Sequence, residues 1–518
     1  MRAGHSFERR RGVRSRVPDR GTATRPRAEG YALIGLGAGI RLIGIAAGTL
    51  AGVFTVALAV RLLGPSSYGT LAFGLSTAVL FAGIGRLGLD PSVARAVALV
   101  SREEGAGDRA RIARGALTLV ALTSAVGAAA TMLVVFLGTG GLGHGTRLLL
   151  GLSLGLILYS SNVAAVSGAL ARGVGRVGLM ELPNLSSTLG RLCTVGLLAA
   201  LGVAELRWIA AGFALAALLG LVVSRQVTRS VIGSSGTRVP RLRAARVLLP
   251  DALPFAVTGL ATIVISRFDV LVLGLSRTSV EVGRYEPVLR IVEQAMLLAP
   301  LLFTAQYLPV ASRALAAGDR AGFANLYIGI SKLVVVVSLP AVVLLAAFPE
   351  SLLRTLYGSA FPAGGLIVWV LLPGFAVNLA LGLNSSALAA SGRRLPLARS
   401  GAAATVAMVV LALALIPPFG ATGAAAATSA TYVVFNVWVS VELRHATGIH
   451  PLRADLAFTV LSAAIAVGAA LEIRAQLDPS SLGEALGLSC AISTGWAALL
   501  LGARLVRPEE IRRLLPHR

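Results

Sequence analysis

Fourteen apolar stretches follow one another between residues 33 and 505, most of them 20 residues or longer, with short polar breaks between them. That succession limits the fold more than any other feature. A helix crosses a hydrocarbon core about 30 Å thick with about 20 apolar residues. Only helices and closed barrels can do so, because lipid offers no partner to an unbonded backbone N–H or C=O. The blocks lie at roughly 33–62, 69–90, 115–138, 147–171, 181–203, 207–228, 250–275, 285–310, 323–348, 362–390, 396–417, 421–443, 454–472 and 483–505. Pro65, Pro91, Pro240, Pro250, Pro362, Pro396, Pro451 and Pro508 stand at or near their edges, where a residue without an N–H does least harm to a helix. The 518-residue chain is 56% hydrophobic and 14% charged, against about 45–50% and about 25% in soluble domains. These values exclude a cytoplasmic enzyme, a secreted disulfide scaffold and a disordered chain. What remains is an all-α polytopic membrane protein with about 14 transmembrane helices.

The formal net charge of +24 would suggest nucleic-acid binding in a soluble chain. In a polytopic one it reports sidedness, because cytoplasmic loops collect Lys and Arg. With the amino terminus inside, 34 of the 47 basic residues fall in cytoplasmic segments. Seven fall in outer loops: Arg61, Arg147, Arg207, Arg277, Arg284, Arg354 and Arg474. The count predicts both termini in the cytoplasm of a bacterial cytoplasmic (inner) membrane protein, with no nucleic-acid partner. Tyr68, Trp208, Tyr285 and Tyr357 fall at expected outer boundaries, where an aromatic belt belongs. Residues 1–30, with nine Arg, read as a basic disordered cytoplasmic tail. The first apolar block is too long for a signal-peptide core and is read as a retained span. Cys193 and Cys490 lie in apolar blocks and report no redox compartment.

A weak internal repeat runs through the chain. RLLGPSSYG around Tyr68 pairs with LGLSRTSVEVGRY around Tyr285, an offset of 217 residues. GAGDRARIA pairs with AAGDRAGFA at an offset of 211, and SGALARGVGR with SSALAASGRR at 218. The offset spans six helices, so the copies share one orientation, as parallel transporter repeats do. The expected plan is therefore an N-terminal lobe at 31–228, a cytoplasmic linker at 229–248 and a C-terminal lobe at 249–445. Two further helices follow at 446–506, and a cytoplasmic tail at 507–518.

The same segments carry a resemblance. AVRLLGPSSYGTLAF (59–73) resembles the helix 1 to helix 2 junction of bacterial oligosaccharide flippases of the Wzx-like, polysaccharide-biosynthesis type. LPFAVTGLATIVISRFDVLVLG (253–274) and VGRYEPVLRI (282–291) resemble that family's helix 7, its Arg-x-Asp pair and its Gly-x-Tyr entry to helix 8. IPPFGATGAAAATSATY (416–432) is similar to its proline-glycine turn into helix 12. The family belongs to the multidrug/oligosaccharidyl-lipid/polysaccharide exporter superfamily, with drug/cation antiporters and lipid II flippases. The resemblance implies two six-helix lobes around a cavity that opens alternately to each side. It implies translocation of polyprenyl-diphosphate-linked oligosaccharide for surface polysaccharide, with membrane lipids and other polysaccharide-assembly proteins as further partners. Lipid II flipping and drug/cation antiport are the alternatives on the same fold. A membrane glycan polymerase or glycosyltransferase is the alternative of another class, although the short outer loops offer few ionisable groups for catalysis.

Several predicted helices carry polar faces. Helix 7 places Thr258, Thr262, Ser266 and Asp269 at helical spacing beside Arg267; helix 8 carries Glu286, Arg290 and Glu293 with Gln294. Helix 5 carries Asn184, Ser187, Arg191 and Thr194; helix 12 carries Thr428, Tyr432, Asn436 and Ser440. An ionised group at mid-bilayer costs about 2.5–3.5 kcal/mol on insertion scales, so these faces should line a wet cavity or pair with one another. Arg41, Arg86, Arg191, Arg267 and Arg290 are the candidate substrate-binding residues, because Arg offers forked donors to a diphosphate. Asp269 and Glu293 are candidates for ion coupling or charge pairing. Structural pairing of Arg267 with Asp269 and of Arg290 with Glu293 is the competing reading, as is snorkelling of Arg41 and Arg86. All five His lie in tails or loops and no P-loop occurs. No metal, cofactor or catalytic residue is expected.

Overall fold

The computed structural model describes residues 28–86, 88–100, 106–232, 241–358, 364–449, 453–477 and 481–502. The basic tail to residue 27, a stretch of the expected linker (233–240) and the carboxy-terminal stretch from 503 fall outside the described residues. Helices make up nearly all of the rest. They are α1 (Ala28–Arg86), α2 (Leu89–Ala98), α3 (Ala106–Gly138), α4 (His144–Gly173), α5 (Leu182–Ala200), α6 (Leu206–Ile232), α7 (Arg241–Ser276) and α8 (Ser279–Ala316). After these come α9 (Arg320–Ala347), α10 (Pro349–Tyr357), α11 (Gly364–Leu381), α12 (Leu383–Ala390), α13 (Arg394–Thr447), α14 (Ala454–Leu477) and α15 (Leu482–Gly502). Nine helices among the described residues are long and apolar enough to cross a membrane. Many large apolar side chains point outward, such as Leu137 and Leu499 at 72% exposure. Such a surface is stable against lipid tails, not against water.

Two helices are too long to be single spans. At a 1.5 Å rise, the 59 residues of α1 would reach about 89 Å, against a core of about 30 Å. The chain breaks α1 at Gly64 (φ 70°, ψ 171°), just before Pro65. It breaks α13 at Gly420 (φ 57°, ψ −132°), just after Pro417 and Pro418. Both backbone conformations are open to glycine and strained for other residues. The sequence places chain breaks at these two points, and the backbone leaves helical geometry at both, so α1 and α13 each hold two helices joined at a kink. Each kink region has a partner elsewhere. Arg61 donates to the carbonyls of Thr355 and Leu356 at the end of α10. Arg277 donates to the carbonyls of Pro417 and Pro418, and Glu281 accepts from the Ala421 N–H at 3.1 Å.

Two short helices have no counterpart in the apolar pattern. In α2, Leu89, Val93 and Val97 form one buried stripe, packed on α4 and α7. In α10, Pro349, Leu353 and Tyr357 do the same. Ten and nine residues are too few for a hydropathy window tuned to a span. Two boundaries also differ from the expected plan. The block expected at 362–390 divides at Gly382 into α11 and α12, and α7 starts at Arg241, well before 250.

The packing that frames the interior is formed by α1, which runs against α8, α7, α5 and α3. The segment of α1 after the kink crosses α8 with no side chain between the backbones. A Cβ on Gly69 would strike the Ser279 carbonyl, and one on Gly283 would strike the Pro65 carbonyl. Beside this contact, Ser66 Oγ and Ser279 Oγ are 3.2 Å apart.

Candidate functional site

Directly beside that crossing lies a cavity of about 360 Å³. Its first wall is α1, where Gly48, Thr49, Gly52 and Thr55 present small residues and hydroxyls, followed beyond the kink by Tyr68. Gly52 has nothing within 4 Å of where a Cβ would stand, so the missing side chain adds to the space. Facing it are Thr188 and Arg191 of α5, Phe213 of α6, Glu286, Arg290 and Gln294 of α8, and Tyr357 of α10.

The charged corner is built from a local helical pair. Glu286 precedes Arg290 by one turn, the favoured order for an acid and a base on a helix. Arg290 Nε donates to Glu286 Oε1 at 2.6 Å, while Glu286 Oε2 accepts from the Tyr68 hydroxyl at 2.6 Å. Glu286 is therefore buried and doubly bonded, whereas the Arg290 side chain keeps 28% exposure. The Tyr357 hydroxyl closes this corner by donating to the Pro287 carbonyl at 2.9 Å. Across the cavity, the Arg191 guanidinium lies 5.8 Å from the centre of the Phe213 ring, a cation–π distance. Its Nε donates weakly to the Ser187 carbonyl at 3.4 Å. A smaller cavity of about 40 Å³, lined by Ser160, Ser161, Asn184 and Ser187, reaches the other side of Arg191.

A second charged cluster is sealed off from this space. Arg267 Nη2 meets Glu293 Oε2 at 3.3 Å, with the two side chains 9% and 8% exposed. Asp269 is fully buried. It accepts from the Tyr285 hydroxyl at 2.5 Å, the Thr428 hydroxyl at 2.8 Å and the Val270 N–H at 2.8 Å. One carboxylate thus ties α7, α8 and α13 together.

The five candidate arginines do not form one ladder. Arg191 and Arg290 share the cavity. Arg267 is buried in its pair with Glu293, and neither residue lines that cavity. Arg86 pairs with Asp90 at 3.6 Å, and it stands 18 residues along α1 from Tyr68, about 27 Å away at helical rise. The side chain of Arg41 lies outside the described residues. The charge partners differ from those read along the sequence. Arg267 and Asp269 are two residues apart and face different sides of their helix; Arg267 turns to Glu293 instead. Arg290 takes Glu286, one turn before it, in place of Glu293.

One further expectation is corrected. Tyr68, Tyr285 and Tyr357 are 3%, 0% and 2% exposed; they bond Glu286, Asp269 and the Pro287 carbonyl. Of the four aromatics assigned to an interfacial belt, only Trp208, 49% exposed, faces outward. A tyrosine beside a buried carboxylate is worth more as a donor than as a headgroup anchor. The polar stripe of helix 12, now the second half of α13, takes the second of the two courses open to it, pairing with its neighbours. Asn436 donates to Asn378 Oδ1, and Asn384 donates to the Asn436 carbonyl and to Ser440. That stripe joins helices. Tyr68 and Tyr357 enter the site although neither stands among the sequence candidates, and Glu286, read only as part of the helix 8 polar face, becomes the centre of its charged corner. The Glu-x-x-x-Arg spacing at 286–290 is the available signal for Glu286. Among the described residues, no group of three or more His, Cys, Asp or Glu could hold a metal ion.

The long apolar helices, with a small charged cavity where α1 crosses α8, define a multi-pass membrane protein. The family profile described as polysaccharide biosynthesis protein matches residues 35–315, and the chain belongs to that family. Among curated proteins none matches the sequence. Among solved structures, the lipid II flippase MurJ in an inward closed conformation superposes with a TM-score of 0.71 at 15% identity, over 90% of this chain and 99% of that one. A multidrug resistance MATE family transporter in an inward-facing conformation gives 0.62 at 14% identity, over 79% and 99%. A MATE transporter of Vibrio cholerae gives 0.55 at 14% identity, over 80% and 96%. At these identities the likeness establishes the fold, which this chain shares with MurJ and the MATE transporters.

Proposed function

We propose that the protein translocates polyprenyl-diphosphate-linked oligosaccharide across the bacterial cytoplasmic membrane by alternating access, for surface polysaccharide. The observation that carries this reading is the pair Arg191 and Arg290 on opposite walls of one cavity, at the crossing of α1 and α8. Two guanidiniums separated by a polar space can take one phosphate each of a diphosphate through forked hydrogen bonds. Glu286, already bonded to Arg290, lowers the net charge of the lining, which helps an anion to leave again. The proposal includes fourteen spans, with α1 and α13 supplying two each, both termini in the cytoplasm, and two six-helix lobes related by the internal repeat.

The test is depletion followed by lipid analysis. The expected result is a lipid-linked oligosaccharide accumulating on the inner leaflet, cleared by the native gene and not by Arg191→Ala at normal abundance. Accumulation of lipid II would move the assignment to peptidoglycan precursors, and a change in drug resistance alone would move it to antiport. Clearance by Arg191→Ala equal to that of the native chain would remove Arg191 from the substrate path.

A further inference from the structure

Behind Arg191, α4, α5 and α6 pack on one another and enclose the smaller cavity of about 40 Å³. Arg191 and Phe213 line both cavities and form the wall between them. Asn184, Ser187 and Arg191 stand three and four residues apart on α5, the spacing of one helical face, and line this space together. Ser160 and Ser161 of α4 complete the polar lining. The third helix, α6, leaves room for it at Gly220, where a Cβ would strike Ser187 Oγ and stand 3.2 Å from Ser160 Oγ. The Ser160 hydroxyl donates to the Ala217 carbonyl at 2.8 Å, and that of Ser161 to the Leu158 carbonyl at 2.9 Å. The donors left on the walls are the Arg191 guanidinium, the Asn184 amide and the Ser187 hydroxyl, and no carboxylate lines the cavity.

Among the candidate arginines whose side chains are described, Arg86 has Asp90, Arg267 has Glu293 and Arg290 has Glu286. Arg191 has an aromatic ring and a carbonyl at 3.4 Å. Neither cancels a full charge, and a guanidinium keeps its charge at any physiological pH. A group ionised inside a bilayer is costly unless something offsets it. Three donors, one of them cationic, around a space for a few water-sized particles suit a small anion. Water alone would fill the space and leave the charge, and a sugar or a diphosphate is too large for it. We propose that this pocket binds a monatomic anion, chloride in the cell, held by Arg191, Asn184 and Ser187. Such an ion does for Arg191 what Glu286 does for Arg290: it lowers the net charge of the wall and leaves the larger cavity free. The site does not depend on what that larger cavity carries.

The experiment uses the full chain purified in detergent and no lipid-linked substrate, so its outcome is separate from that of the depletion test. Thermal stability is recorded as chloride replaces gluconate at constant ionic strength, which holds screening fixed. Crystals grown in bromide are then read for anomalous scattering. Chloride is expected to raise Tm along a saturating curve, and bromide to give a peak among Arg191, Asn184 and Ser187. Arg191→Gln should abolish the rise. Ser187→Ala, which removes one neutral donor, should shift its midpoint about fivefold to higher chloride. If Arg191→Gln fails to fold, the Ser187→Ala shift and the bromide peak decide alone. A Tm that ignores chloride, or a dependence unchanged in the variants, overturns the proposal. No bromide peak, or a peak beside Arg290 alone, overturns this pocket as the site.

Discussion

At the scale of single residues, the charge pair within α8 and the pair that joins α7 to α8 differ in what they can do. Arg290 is partly open to the cavity and tied to Glu286, while Arg267 and Glu293 are nearly closed off. Removing one partner of a buried pair costs about 3–5 kcal/mol, because the other charge is left without compensation. Glu293→Gln or Arg267→Gln should therefore lower Tm and membrane abundance sharply. The double change should recover most of the loss, which a double-mutant cycle on purified protein would measure. Arg290→Ala is expected to behave differently: transport falls while abundance drops only moderately. Its compensating change is Glu286→Gln, which restores abundance without restoring transport. Rescue of abundance by Glu293→Gln in its place would contradict the pairing described above. The partner of Arg267 is out of reach of a reading along one helix, since it lies across the α7–α8 interface and a linear motif offers only Asp269; that of Arg290 stands one turn away on the same helix.

At the scale of elements, the crossing of α1 and α8 depends on two absent side chains. Gly69 and Gly283 each bring the opposing backbone to where a Cβ would stand. Alanine at either site has to push the helices apart, a strain of the order of 1–3 kcal/mol for overpacking. Gly69→Ala and Gly283→Ala should each lower Tm, whereas Gly196→Ala, with nothing within 4 Å, should not; thermal unfolding in detergent decides this. Apolar length makes the long helices legible, and Gly-Pro and Pro-Pro pairs mark both kinks. The short helices α2 and α10 are illegible because their signal is a three-residue stripe, not a span. The tyrosines escape a linear reading for a related reason. An aromatic residue at the end of an apolar block reads as interfacial until the neighbouring helix supplies Glu286 or Asp269.

At the scale of the whole molecule, α1, α2 and α3 pack on α7 and α8, and two of these contacts stand out. One is the glycine crossing beside the cavity. The other is the apolar cluster in which Leu89, Val93 and Val97 of α2 share a core with Leu248 and Ala252 of α7. A carrier that alternates access has to open either contact while keeping the other closed. The crossing can be fixed covalently, because Ser66 Oγ and Ser279 Oγ are 3.2 Å apart, close enough for two cysteines to bridge. Cys193 and Cys490 are both exposed and have to be replaced by serine first. In that background, Ser66→Cys with Ser279→Cys should form a disulfide on mild oxidation in membranes, seen as a mobility shift on non-reducing gels. Once bridged, the crossing cannot open. On the proposed function, export should then stop on oxidation and resume on reduction, while either single cysteine stays active under both conditions. Complete cross-linking with undiminished export would mean that this crossing is a fixed joint, and that the moving contacts lie elsewhere, among α1, α2 and α3 against α7.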